Sequence, residues 1–325
     1  MAIASYQHRI SLRFGILTVL LLLASGAAAL ATQHWVLELF SHFRPLYAVA
    51  ALLLAVMLAL LGAWRWMALA FALALWNGYP VAQALLRDVA PVTQASAAGR
   101  QLTVFHFNVS ARNEQPNRVL SYLQRNAKDI DVVVLFEATH EFQNALDELK
   151  DLFPHQVRHL EDSPFGIVLA SKQPIDFGAI SFIPSDAFPH IEATLKLPGR
   201  ATPLALYAVH APPPISATLA HARNAKLEHV AQQAVAQATA TPIAVGDFNT
   251  TPWSPYFKRF GTDSGLQEAR ATRGFDHTWP ITFGNARLGL AIDHSFAHPS
   301  LRVIKRSIGP DLGSDHLPVT VMFAY

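Results

Sequence analysis

The 325-residue chain contains no cysteine, which excludes disulfides and thiolate-held metal centres. That absence is compatible with an oxidising compartment without requiring one. Charge is also scarce: 15% of the residues are Asp, Glu, Lys or Arg, against 51% hydrophobic. The scarcity is uneven, because residues 1–99 hold five basic residues (Arg9, Arg13, Arg44, Arg65, Arg87) and two acids (Glu38, Asp88). Of the 25 basic and 23 acidic residues in the chain, 20 and 21 are left for 100–325, which is therefore close to neutral. The sequence pI of 8.9 reflects the first hundred residues. It is not the footprint of a protein that grips duplex DNA, which needs a dense basic patch. The nearest approaches to one, "VIKRS" at 303–307 and Lys258–Arg259, read as solvated faces. There is no internal repeat, no low-complexity segment, and no G-x-S-x-G elbow to support a metal-independent esterase.

What the first hundred residues do have is long apolar runs. Phe14 to Thr32 is 19 residues without a charge, about 28 Å as a helix and enough to cross a bilayer core. Leu46 to Ala63 is a second such span, and "WRW" at 64–66 follows it with interfacial aromatics and one positive charge. Met67 to Leu86 is a third and weaker one, interrupted by Asn77, Gly78, Pro80 and Gln83. Buried core helices are the bland alternative, and charge-free runs of this length argue against them. Arg9 and Arg13 precede the first span and Arg65 lies in the second connection, so both belong to the cytoplasmic side by the positive-inside tendency. Three crossings then put everything after about residue 90 outside the inner (cytoplasmic) membrane, periplasmic in a Gram-negative cell. A rival reading makes 1–31 a signal peptide, with "ALA" at 29–31 as the cleavage signal. Cleavage would leave the C-terminal part on the same side; a failed third span would not.

Residues 88–100, "DVAPVTQASAAGR", read as a linker. From Gln101 onward, short apolar strands alternate with helical patterns. Strands are expected at 102–109, 131–137, 166–171, 190–197, 203–210, 242–249, 290–298, 301–307 and 317–325. Helices are expected at 117–127, around 141–151, at about 216–238 and near 254–260. This is an α/β pattern with many strands and mixed connections.

Polar residues collect at the strand ends. Asn108 closes the first strand, Glu137 the second, and His210 the run before "APPP". Asp247 and Asn249 follow another in "VGDFNTTP", Asp293 ends "LAID", and "GSDHLPV" sets Asp315 and His316 ahead of the last strand. On an extended backbone, the one-residue spacing of Asp247 and Asn249 turns both side chains to one face. A lone acid after a strand is commonly a helix cap or a solvated loop residue, and a lone His a surface one. Six such positions at six strand ends ask for a joint role, since open sheets place ligand sites there. Amide and carboxylate oxygens suit a hard cation such as Mg²⁺ or Mn²⁺. A buried Asp bonded to a His holds the ring so that its other nitrogen can take a proton from water. These are the parts of metal-assisted hydrolysis of a phosphate ester.

In this order, "FHFNV", "VVVLFEAT", "YAVHAPPP", "VGDFNTTP", "AIDHSF" and "GSDHLPV" resemble the endonuclease/exonuclease/phosphatase superfamily, across residues 102–325. "GDFN" with "SDHLPV" is highly specific, whereas "FHFNV" alone is weak. The resemblance implies a four-layer α/β/β/α sandwich of two mixed β-sheets over 101–325, preceded here by a bundle of about three transmembrane helices within 1–87. It implies that Asn108 and Glu137 hold the metal, with Glu137 the principal ligand and Asp315 a further carboxylate. It also implies that His316 is the base or a phosphate contact oriented by Asp293. By the same resemblance His210 is an acid for the leaving oxygen, and Asp247 and Asn249 position the attacking water and a phosphate oxygen. Two positions depart from the family: Phe136 stands where a Gln usually precedes the glutamate, and His294 where an aromatic is common. Asn113 in "NVSARN" reads first as a plain loop residue. The expected function is a membrane-anchored phosphodiesterase with a nucleic acid or a phospholipid head group as substrate and no protein partner inferable. The contrasting reading is a catalytically inactive, membrane-tethered module that binds phosphorylated ligands.

Overall fold

The computed structural model describes residues 2–86, 99–183, 186–270, 274–283 and 286–325; of the expected linker, only its last two residues fall within them. The chain forms two compact units, Met1–Arg87 with Thr251–Lys258, and Asp88–Thr250 with Arg259–Tyr325. By its packing, the segment 251–258 thus groups with the first unit rather than with the rest of 101–325.

The first unit contains α1 (Ala2–Ala29), α2 (Trp35–Ser41), α3 (Arg44–Leu60) and α4 (Trp64–Leu85). The stretch Arg9–Ala29 of α1 and the whole of α4 are each long and apolar enough to cross a membrane. The short α2 and α3 pass the same test only as a pair, and they are bent by 59° at the break. Trp64 and Arg65 open α4 instead of lying in a connection. Pro80 and Asn77 lie within α4 without ending it, and Asn77 Nδ2 donates to Leu73 O at 3.0 Å and to Ser25 Oγ on α1 at 2.8 Å. Gly62, at φ +69°, ends α3 with the bond from Ala63 N to Leu58 O at 2.9 Å, a left-handed helix stop that a side chain would strain. Small residues line the helix contacts: Ala51, Ala55 and Ala70 are buried, and a Cβ at Gly15 would meet Trp66 at 2.9 Å. In the same unit, Glu38 is buried with His42 Nε2 at 3.7 Å and Ser254 Oγ at 3.1 Å, while Trp253 Nε1 donates to His42 O.

The second unit is built on two six-stranded sheets. The first runs β13 (Arg302–Ile308), β14 (Val319–Ala324), β1 (Gln101–Asn108), β2 (Val132–Phe136), β4 (Ile167–Ser171), β3 (His155–His159). The second runs β5 (Ile175–Ile183), β6 (Asp186–Leu195), β7 (Leu204–His210), β8 (Thr241–Asp247), β12 (Asp293–Ala297), β9 (Gln267–Glu268). A separate hairpin joins β10 (Trp279–Phe283) to β11 (Ala286–Leu290). Each large sheet has one parallel pair, β1/β2 and β7/β8, among antiparallel neighbours. Parallel neighbours need a crossover. The first is α5 (Pro116–Asn126); the short α6 (Gln143–Glu148) follows β2, and α7 (Ala217–Ala236) makes the second crossover.

Alternation along the strands creates the layers. Leu102, Val104, Val134, Phe136, Ile191, Ala193, Leu206, Ala208, Ile243 and Val245 meet in one core shared by the two sheets. Phe105, Phe107, Val133 and Leu135 point the other way and pack on Val119, Leu120 and Leu123 of α5. The buried Leu227, Val230 and Ala234 belong to α7. The outcome is the α/β fold of two mixed sheets that the sequence predicts. Strands buried on both faces read as near-continuous apolar runs, which is why "DVVVLF" has no alternation.

Candidate active site

The two parallel pairs carry polar residues side by side to their C-terminal ends. Asn108 is the register partner of Phe136, one residue before Glu137, and His210 is the partner of Asp247. Asp293 opens β12 opposite Asp247; it begins a strand, where the sequence suggests that it ends one. The turn that leads into β14, Ser314 to His316, closes the group: Ser314 Oγ donates to Asn108 O at 2.7 Å and accepts from His316 N at 3.0 Å.

These residues form a continuous chain of contacts. Asn108 Nδ2 donates to Glu137 Oε1 at 2.9 Å and to Asp247 Oδ2 at 3.3 Å, crossing from one sheet to the other. Ala111 N donates to Glu137 Oε2 at 3.0 Å. His316 Nε2 lies 3.8 Å from Asp247 Oδ2, and His316 Nδ1 donates to Asp293 Oδ2 at 2.9 Å. His210 Nε2 faces Glu137 Oε1 at 3.6 Å, with its ring packed edge-on to Phe188. The carboxylate of Asp315 is exposed and accepts from Trp279 Nε1 of the β10 hairpin at 3.2 Å, and its charge also bears on His316. Asp247, Asp293 and His316 bring ligand atoms within 4.8 Å of one another.

The backbone is unusual at this place. The non-glycine residues with positive φ among those described are Ser110 (63°), Glu137 (58°) and Asn249 (47°). Such conformations cost about 1–3 kcal/mol each and persist where the surroundings over-determine them. Asn249 is thus not on an extended backbone, and strand alternation does not bring it beside Asp247. A turn does: Asn249 N donates to Asp247 Oδ1 at 2.9 Å, and Asn249 Nδ2 to Asp247 Oδ2 at 3.2 Å and Ala211 O at 2.9 Å. Gly246 has no substitute here, since at φ +142° a Cβ would stand 2.0 Å from Val209 O and 2.6 Å from the Phe136 ring. Phe136, where the family usually has Gln, accordingly fills the inter-sheet space below the site.

Burial sets the electrostatics. Desolvation, then the facing Asp293, pushes the Asp247 carboxyl up to about 8. Burial also works to raise Asp293, but the charge and hydrogen bond of His316 outweigh it and hold Asp293 below the usual carboxylate range. Burial alone would lower His316; Asp293 overrides it and lifts the ring to about 10. Burial lowers His210 to about 4 despite the Glu137 charge, which leaves it neutral at pH 7.

Several supporting residues carry no sequence motif. Thr278 Oγ1 accepts from Ile292 N and Asp293 N at 3.2 and 3.1 Å, and Arg306 Nη2 donates to Asp293 O. Arg223, fully buried on α7, donates to Asn249 O at 3.1 Å. His294 stands in an aromatic's place against Phe248 and adds a bond of 2.8 Å to Thr250 O. Asn113 keeps its loop role: its amide donates to Leu312 O and its carbonyl accepts from Gln115 N. Only a hydroxyl or guanidinium at those isolated positions hints at any of this in the sequence.

The family model for the endonuclease/exonuclease/phosphatase family matches residues 105–316. The chain belongs to this family. A search of curated protein sequences gives no match. Among solved structures, D. rerio TDP2 complexed with a single-strand DNA product aligns at 17% identity and TM-score 0.57, covering 69% of this chain and 99% of that one. The human Nocturnin catalytic domain aligns at 17% and 0.56, covering 69% and 94%. The endonuclease/exonuclease/phosphatase from Beutenbergia cavernae aligns at 20% and 0.54, covering 69% and 72%. At these identities the likeness shows a shared phosphoesterase fold.

Proposed function

We propose that the protein is a membrane-anchored, divalent-metal-dependent phosphodiesterase in which the His316–Asp293 pair activates water. The observation that carries this reading is the unbroken series Glu137–Asn108–Asp247–His316–Asp293, assembled from both sheets with every link at 3.8 Å or less. The donor set fits a hard cation. Asp247 and Asp293 face each other, and burial together with that pairing pushes the Asp247 carboxyl up, a strain that a nearby cation would relieve. Asn108, Glu137 and Asp315 are the groups we assign to Mg²⁺ or Mn²⁺, Asp315 after turning from Trp279. The ion would neutralise phosphate charge and the leaving oxygen.

The chain's own groups divide the remaining work. Asp293 fixes the His316 ring through Nδ1 and leaves Nε2 beside Asp247; the surrounding carboxylates keep the ring protonated without metal, and a bound cation, by opposing that charge, would free Nε2 to take the proton of the attacking water. The Asn249 amide nitrogen is engaged by two acceptors, so it presents Oδ1, an acceptor for that water's second hydrogen. His210, neutral and facing Glu137, is placed to offer an N–H hydrogen bond to the leaving oxygen.

The bundle's outward residues, among them Leu20, Leu23, Leu53, Leu60 and Leu75, are over half exposed, a surface suited to lipid. With Arg9, Arg13 and Arg65 cytoplasmic, three crossings put the catalytic unit on the outer side. The substrate class is a phosphodiester, nucleic acid or phospholipid head group. The complex of the TDP2 neighbour with a DNA product supports the first, and a near-neutral catalytic unit held at a membrane supports the second.

The test is hydrolysis of bis(p-nitrophenyl) phosphate by the full chain in detergent. Turnover should require Mg²⁺ or Mn²⁺, stop with EDTA, and fall at least ~10²-fold in Glu137→Ala. Metal-independent turnover refutes the mechanism. A panel of single-stranded DNA, duplex DNA, RNA, sphingomyelin, glycerophospholipids and inositol phosphates then ranks the substrates.

A further inference from the structure

A second group of ligand-type side chains lies on the other face of the second sheet. Ile191, Ala193 and Leu195 of β6 enter the core between the sheets. His190 and Glu192, alternating with them, face the opposite way. There they meet His229 of α7. His190 Nε2 is 3.1 Å from Glu192 Oε1, and His229 Nε2 is 3.9 Å from the same oxygen. The two rings are 5.4 Å apart at 73°, and all three ligand atoms lie within 4.8 Å of one another.

We propose that His190, Glu192 and His229 form a second, non-catalytic cation site that takes a transition metal of the Zn²⁺ class and clips β6 to α7. Tetrahedral Zn²⁺, with bonds near 2.0–2.1 Å, sets neighbouring ligand atoms roughly 3.3 Å apart. One pair already meets that spacing, and the second misses it by about half an ångström. His229 and Glu192 are a third and a quarter exposed, which gives their side chains room to close in and leaves a path for the ion. The donor chemistry separates the two sites. Two imidazoles and one carboxylate suit Zn²⁺, whereas the oxygen-rich set around Glu137 suits Mg²⁺.

The hydrogen bond from His190 holds the Glu192 carboxyl low, and burial, then His190, lowers His229. When the ion binds, the Nε2 proton that His190 shares with Glu192 is released to solvent. One neighbour opposes this. Lys226 Nζ, which donates to Phe188 O, lies 3.4 Å from His190 Nδ1. A metal-bound His190 must carry its remaining proton on Nδ1, so two donors would face each other. Lys226 therefore sets the affinity, and removing its ammonium should tighten binding roughly tenfold, within the range of such outer-shell effects.

The full chain, stripped with EDTA and kept in saturating Mg²⁺, is titrated with Co²⁺ as a coloured stand-in for Zn²⁺. One equivalent should give the visible absorption of a tetrahedral nitrogen–oxygen site, and one equivalent of Zn²⁺ should bleach it. The band should vanish in His229→Gln and His190→Gln, persist in Glu137→Gln, and form at roughly tenfold lower free metal in Lys226→Met. His229→Gln should melt like the parent chain in EDTA and keep its Mg²⁺-dependent turnover. A band unchanged in His229→Gln, one lost in Glu137→Gln, or no band at all overturns the assignment.

Discussion

His316 Nδ1 donates to Asp293 Oδ2 at 2.9 Å, joining the turn before β14 to the first residue of β12 and so one sheet to the other. The bond fixes which ring nitrogen faces the site, and the two residues should act as a unit. Asp293→Asn and His316→Ala should each cut turnover ~10²- to 10⁴-fold. The double variant should be no slower than the worse single one, because a unit can be broken only once. Losses that multiply would show that the two residues act separately.

The same burial predicts the pH behaviour of the metal-free protein. His316 is raised from 6.5 to about 10 and Asp247 from 3.8 to about 8. A raised group contributes stability that is complete below its unfolded pKa and lost as pH climbs through its folded one. The window for His316 is 6.5 to about 10, and for Asp247 3.8 to about 8. His210, lowered from 6.5 to about 4, works in the opposite sense and loses its contribution as pH falls through that range. In EDTA the melting temperature should therefore decline from about pH 7 to about pH 9, and decline less in Asp247→Asn. Stabilisation by Mg²⁺ should be larger at about pH 8 than at about pH 6, since ionised Asp247 adds negative charge beside the site that the cation then offsets. A melting temperature that rises over that alkaline range without metal contradicts the assignment of these shifts.

Much of this arrangement is legible in the residues alone, and the exceptions have physical reasons. Strands β1, β2, β4, β7, β8 and β14 are central, largely buried, and spelled as continuous apolar runs. The strands β3 ("HQVRH") and β5 are sheet edges, whose outer sides tolerate polar residues and dilute the pattern. The polar strand ends Asn108, Glu137, His210, Asp247, Asp293 and His316 do converge, and Asn249 joins them by a route that its spacing conceals. Asp247 and Asn249 share a face because of a left-handed turn at 249, and a two-residue period cannot reveal a positive φ. Thr278 and Arg223 leave no trace in the pattern because they serve the site through backbone bonds.

Gly246 offers a test of the local geometry that is independent of chemistry. With φ at +142°, a Cβ there would come within 2.0 Å of Val209 O, which leaves no side chain room. The obstacle is backbone in the centre of the sheet, which cannot rotate away. Gly246→Ala should destabilise the catalytic unit by at least ~2 kcal/mol, seen as a lower melting temperature of the full chain. An unchanged melting temperature would mean that β7 and β8 do not approach as closely at Gly246 as described.

Thr278 gives the sharpest separation of a positioning role from a catalytic one. Its hydroxyl is fully buried and accepts from the backbone N–H groups of Ile292 and Asp293, so it fixes where β12 begins. Thr278→Val keeps the shape and removes the acceptor, leaving two buried donors to find other partners. That loss should cost about 1–3 kcal/mol of stability. Because Asp293 would shift relative to His316, kcat should fall while KM stays near its original value. Thr278→Ser restores the oxygen and should recover both stability and rate. If Thr278→Val loses stability but keeps kcat, the hydroxyl supports the fold without aiming the carboxylate, and the orientation of Asp293 must come from Arg306 and His316 alone.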